Sequence, residues 1–141
     1  MRIDRFVLDN NIWVSYFIMK REEQLASITD EYGISIFACD ELFIEFAEVL
    51  AYPHLKKYDI DILSALRTLK SITIYHELTY PIKRYLPKDE NDDYLIALAL
   101  QTSSSFITSG DDDILSEKEN LERKYKKLKI LTKKEFEDMF G

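Results

Sequence analysis

Short unbroken apolar runs constrain this chain more than any other feature. Phe6-Val7-Leu8 is such a run and closes at Asp9, while Ser105-Phe106-Ile107-Thr108 reads as a fourth strand leading through Ser109 and Gly110 to Asp111. Bulky residues without alternation mark strands covered on both faces, as in a parallel sheet. Ile34 to Phe37 reads as a second strand, Ile72 to Tyr75 as a third and Leu128 to Leu131 as a last one. Segments of helical spacing lie between them. Asn10 to Met19 carries Ile12, Trp13, Tyr16 and Phe17, and Arg21 to Glu31 turns Leu25 and Ile28 inward before Gly33. Asp40 is read as the cap of a helix running to about Ala51. Asp59 or Asp61 opens another, with Ile62, Leu63, Leu66 and Leu69 as its stripe. Pro81 to Asn91 is the longest irregular stretch. Tyr94 to Leu100 is nearly all apolar and fits a helix buried on most sides, and residues 117–129 read as a solvated helix or loop. Thr132 and Glu135 form a capping box for a last helix with Phe136, Met139 and Phe140. Strands alternating with helices predict an α/β fold with a mainly parallel sheet.

At 141 residues the chain is long enough for one domain, and residues 1–141 show no linker or internal repeat. A single cysteine, Cys39, excludes an internal disulfide framework and a cysteine-based zinc site. No apolar run approaches the roughly 18 residues of a membrane span. The opening Met1-Arg2-Ile3-Asp4-Arg5 has no signal-peptide apolar stretch, so a cytoplasmic location is expected. The formal net charge of −7 argues against generic attraction to nucleic acid or anionic membrane. It leaves open a nucleic-acid enzyme whose excess carboxylates hold cations, because bound cations invert the local charge.

Where the acids sit is therefore the informative question. Asp9 ends the first strand. Glu45 lies between Ile44 and Phe46 in an otherwise apolar helix. Asp92 and Asp93 open the most apolar helix, and Asp111 and Asp113 follow the fourth strand. Ligands of open parallel sheets bind beyond the C-terminal strand ends, where Asp9 and Asp111 are predicted. Each acid also has a simpler reading. Asp9 can cap a helix, Asp92 and Asp93 can face a helix dipole, Glu45 can be solvated, and Asp111 to Asp113 can form a turn. Four separate explanations persuade less than one shared site. Carboxylates that converge share protons or cations, and an all-oxygen set without His or Cys matches Mg²⁺ or Mn²⁺.

Other motifs fail. Asp89-x-Asn91-x-Asp93 begins like a calcium loop, but Tyr94 stands where glycine is required and Leu100 where the glutamate is. There is no glycine-rich phosphate loop. Cys39 reads as core, His54 as surface and His76 as a strand end. Arg84, Lys88, Lys118, Arg123 and Lys124 can guide an anionic backbone, although a solubilising surface explains most of them.

Four segments together resemble the PIN-domain ribonucleases. They are Val7 to Ser15, Glu41 to Leu50, Asp92 to Ala99 and Ile107 to Leu115, in family order over nearly the whole chain. The greatest similarity is to the PIN toxins of prokaryotic toxin–antitoxin systems. The resemblance implies a three-layer α/β/α sandwich and Mg²⁺- or Mn²⁺-dependent cleavage of single-stranded RNA. It also implies an antitoxin protein as partner, a homodimer, and no membrane association. By position it implies Asp9, Glu45, Asp92 and Asp111 as catalytic, metal-holding acids, with Asp93 and Asp113 as additional acids. Asn11 matches the residue that supports the first Asp, and Ser109 the hydroxyl before Gly-Asp. Asp92 is preferred over Asp93 as direct ligand, because Ala99 then takes the place of the family helix's small residue. Asn10 departs from the family, which usually has Thr there. The alternatives are a catalytically silent PIN-fold protein-binding module and a Mg²⁺-dependent phosphatase. Asn11 stands where the common phosphatase chemistry needs a second Asp.

Overall fold

The computed structural model describes residues 4–141, so the charged opening at residues 1–3 lies outside the described residues. Five strands are present among them: β1 (Arg5–Leu8), β2 (Ser35–Ala38), β3 (Ile74–Tyr75), β4 (Phe106–Thr108) and β5 (Lys129–Leu131). All pair in parallel, in the order β3-β2-β1-β4-β5. The helices are α1 (Asn10–Ile18), α2 (Glu22–Tyr32), α3 (Asp40–Leu50), α4 (Ile62–Ile72), α5 (Asp93–Gln101), α6 (Asp112–Leu115), α7 (Lys118–Lys124) and α8 (Lys133–Asp138). A sheet of parallel strands joined by helical crossovers is the α/β architecture expected from the alternation.

Phe6, Val7 and Leu8 of the central strand are all fully buried, which explains why the run does not alternate. Phe6 stacks on Phe106 at 5.0 Å and meets the edge of Phe136 at 5.5 Å, so β1, β4 and α8 share one aromatic cluster. Helix α5 packs against β1, β2 and β4 and buries Tyr94 through Ala99, as its all-apolar sequence requires. Gly33 ends α2 with φ +65°, a left-handed conformation that glycine adopts without steric cost. Thr132 and Glu135 form the capping box of α8, each side chain accepting from the other residue's amide.

Several local expectations change. The third strand holds only Ile74 and Tyr75, because α4 continues through Ile72 and Thr73 closes it with a hydroxyl bond to the Leu69 carbonyl. Of the predicted stripe, Ile62, Leu66 and Leu69 pack on the core, whereas Leu63 is 71% exposed and Ala65 takes the inward place. Asp61 is the cap of α4, accepting from the Ser64 amide. Asp59 instead ends an unforeseen 3₁₀ turn, Pro53–Tyr58, in a left-handed conformation. Asp40 is the first residue of α3 and not its cap; its carboxylate accepts from the Tyr75 hydroxyl. The charged stretch after Asp111 forms α6 and α7, anchored by buried Ile114 and Leu121. Cys39 is buried and His54 exposed, as read. Among the described residues no helix is long and apolar enough to cross a membrane.

Candidate metal centre

The C-terminal ends of β1 and β4 lie side by side, with Leu8 in register with Thr108. Asp9 therefore emerges beside Ser109 and Asp111. Its amide bonds to the Thr108 carbonyl at 2.9 Å, extending the ladder by one residue. The Ser109 hydroxyl donates to Asp9 Oδ2 at 2.7 Å and accepts from the Asp111 amide at 3.0 Å. One buried serine thus fixes two acids from neighbouring strands. Helix α3 brings Glu45 to the same edge, and the Tyr94 hydroxyl of α5 donates to Glu45 Oε1 at 2.8 Å. Asp92 stands immediately before α5. Asp9, Asn10, Asn11, Glu45, Asp92 and Asp111 line one cavity of about 210 Å³.

Asp89 joins that cavity as well. Carboxylate oxygens of Asp89, Asp92 and Asp111 all lie within 4.8 Å of one another. A single 3₁₀ turn, Glu90–Asp92, carries Asp89 back over Asp92. Asp89 belongs to the acidic run Asp89 to Asp93 that fails as a calcium loop. Its spacing of three from Asp92 was the available signal, since that spacing eclipses side chains in a 3₁₀ helix.

The adjacent acids Asp92 and Asp93 separate cleanly. Asp93 is buried away from the triad, its Oδ1 accepting from the Tyr85 and Leu86 amides at 2.9 and 2.8 Å. Its Oδ2 accepts from Arg84 Nε at 2.9 Å. Asp93 therefore pins the 84–86 segment to α5 and is not available as an additional metal acid. Arg84, read as a guide for an anionic backbone, is committed to Asp93 and Glu90. Asp113 stands outside the triad, with its amide donating to Asp111 Oδ1 at 2.8 Å. The Asn11 side chain lies exposed at the rim, and Asp9 is supported by the Ser109 hydroxyl together with the backbone amides of Asn10 and Asn11. Neighbouring Asn10 is buried and its Oδ1 has no hydrogen-bond partner.

The electrostatics follow from this crowding. Two ionised carboxylates within 4.8 Å of each other repel by at least roughly 3 kcal/mol at an effective dielectric of about 20. Burial raises the Asp9 carboxyl above its usual range and Asp111 adds to the rise, while the Ser109 hydrogen bond opposes it. Burial likewise raises Glu45, against the bond from Tyr94. Asp92 is pushed up to about 9, first by burial and then by hydrogen bonding with Asp111 and Asp89. Acids held this way fit a divalent cation well. The donors are all oxygen, they converge in one cavity, and Asn10, whose buried Oδ1 has no hydrogen-bond partner, is among the residues lining it.

Residues 5–113 match the PIN domain family, and the chain belongs to that family. No curated protein matches the sequence. Among solved structures the fold is similar to a chain in the crystal structure of VapBC2 from Rickettsia felis, bound to a DNA fragment from their promoter. The two are 13% identical with a TM-score of 0.53, over 91% of this chain and 98% of that one.

Proposed function

We propose that the protein is a Mg²⁺- or Mn²⁺-dependent endoribonuclease that hydrolyses single-stranded RNA, acting as the toxin of a toxin–antitoxin pair. The observation that carries the catalytic part is the convergence of Asp9, Glu45, Asp89, Asp92 and Asp111 on one cavity. Unpaired, such a cluster destabilises the fold, and a bound cation offsets the repulsion. Asp9, Asp89, Asp92 and Asp111 would hold the cation. A cation held there supplies positive charge to a phosphate oxygen as negative charge builds on it, and makes water more acidic.

The chain's own groups do the positioning. Ser109 keeps Asp9 and Asp111 in fixed relation. Tyr94 orients Glu45, whose raised carboxyl is suited to take a proton from an attacking water nearer to neutral pH. The partner part rests on the resemblance to PIN toxins, and the fold likeness to a chain of a VapBC2 complex is consistent with it.

The test is incubation of the purified protein with mixed single-stranded RNA, in Mn²⁺ or in chelator, beside Asp9→Asn. Cutting that needs the cation and disappears in the variant supports the reading. Cutting that persists in the variant overturns the site. A second reading, a silent module gripping a basic segment, is favoured by the groove beside the centre. Glu41, Glu48, Ile44 and Tyr52 line it, mixing acid with apolar surface. An intact protein that binds cation yet cuts no RNA would support that module. Hydrolysis of a small phosphate ester, and not RNA, would point to a phosphatase.

A further inference from the structure

The charge of this acidic protein is strongly unbalanced along its length. Residues 118–134 hold eight Lys and Arg against two Glu, a charge of +6, while the rest of the chain carries −13. The segment forms α7, the edge strand β5 and the start of α8. Several of these cations are engaged. Lys129 faces Glu122 at 4.0 Å, Lys134 pairs with Asp138, and Lys133 sits on the Tyr16 ring and bonds Ser15. Arg123, Lys124, Lys126 and Lys127 are exposed and have no ion pair among the described residues.

A simple explanation covers half of these four. Arg123 and Lys124 occupy the last turn of α7, where positive charge complements the helix dipole. Lys126 and Lys127 lie beyond the helix and gain nothing from it. Instead they line a cavity of about 310 Å³ together with Tyr125, Ser103 and Leu100, where the end of α5 meets the approach to β5. Lys124 Nζ lies over the Tyr125 ring at 5.6 Å and Tyr85 packs on it in a T-shaped contact at 6.0 Å, so the ring is already held, and the exposed Lys126 and Lys127 are what this cavity offers to the phosphates of a single strand.

The path from the acidic centre leads there. Asp111 caps α6, α7 follows, and the chain returns to the start of β5, the edge strand beside β4, at the opposite end of the strands from the acids. Its seven residues cover about 10 Å. We infer that the Arg123–Lys127 edge, with Tyr125 and its cavity, anchors the sugar–phosphate backbone of single-stranded RNA away from the point of cleavage. The inference rests on the ribonuclease reading for the identity of its ligand. It explains how a chain of net −7 holds a polyanion: the negative charge is gathered elsewhere and this edge is left basic.

The test is binding of a fluorescein-labelled single-stranded RNA 20-mer in chelator, by fluorescence polarisation across a salt series. The proteins are the wild type, Lys126→Glu/Lys127→Glu, and Lys56→Glu/Lys57→Glu as a control. The control makes the same charge change at an exposed pair on the 3₁₀ turn. The expected result is a loss of roughly tenfold or more for Lys126→Glu/Lys127→Glu, little change for the control, and a salt slope smaller by about 1.4 for two lost phosphate contacts. With Mn²⁺, the same variant should raise KM for the long RNA, leave kcat, and cut a tetranucleotide as the wild type does. Equal losses in both variants would overturn the proposal, as would absence of RNA binding by the wild type. Tighter binding of duplex DNA than of RNA, lost in the same variant, would overturn RNA as the ligand. RNA binding that depends on Lys126 and Lys127 without cutting in Mn²⁺ would keep the anchor and remove the nuclease reading.

Discussion

The carboxylates of Asp92 and Asp93 leave adjacent positions and end in opposite surroundings. Asp92 meets Asp89 and Asp111, whereas Asp93 meets two amides and Arg84. Their substitutions should therefore move stability in opposite directions. Above about pH 9, where Asp92 is ionised, Asp92→Asn removes a repelled buried charge, so the cation-free protein should melt a few degrees higher there, and cleavage should fall about 100-fold. Asp93→Ala leaves two buried amides without acceptors and should cost about 2–3 kcal/mol in urea unfolding. Ser109→Ala is the milder test at this scale. It removes the hydroxyl that opposes the rise of the Asp9 carboxyl, so that rise should grow and cation affinity should drop roughly tenfold by calorimetry.

At the scale of elements, local patterns were most legible where one interaction decides the outcome. Phe6 to Leu8 read as a doubly covered strand because burial on both faces forbids alternation, and the Thr132–Glu135 box was visible because both partners are three residues apart. The face of α4 was legible at Ile62, Leu66 and Leu69 but not at Leu63. Leu63, Leu66 and Ala65 all fit some helical stripe, and only packing against neighbouring helices makes Ala65 inward and Leu63 solvated. The difference gives a direct comparison: Leu69→Ala should cost about 2–5 kcal/mol, and Leu63→Ala well under 1 kcal/mol, by urea unfolding. The same limit applied to the acids. Asp9 and Asp111 were readable from strand ends, but the distance between elements was not. Asp89 entered through a 3₁₀ turn, and Asp93 left through contacts with a loop seven to nine residues away.

For the whole molecule, the acid cluster makes stability depend on pH in a stated direction. Asp9, Glu45 and Asp92 all have folded carboxyls raised above their unfolded values near 4. Such groups favour the fold fully below about 4, and that contribution is lost as pH climbs through the raised values, reaching about 9 for Asp92. Glu135 is lowered by its capping bonds and works oppositely, but it is exposed and its effect lies at the acid end. Between pH 5 and pH 9 the cation-free protein should therefore lose melting temperature, and Mn²⁺ should restore it most at the alkaline end. A flat profile would mean that the carboxylates do not interact as their spacing requires.

The claim that these acids form one cation-binding centre can be tested by a melting curve without any assumption about substrate. The measurement is the Mn²⁺-induced shift in melting temperature at pH 8, for the wild type and for Asp92→Asn. A cation at about 100 times its dissociation constant stabilises by about 2.7 kcal/mol. The expected result is a shift of several degrees in the wild type that is nearly abolished in the variant. No shift in the wild type, or an equal shift in both proteins, would contradict the claim.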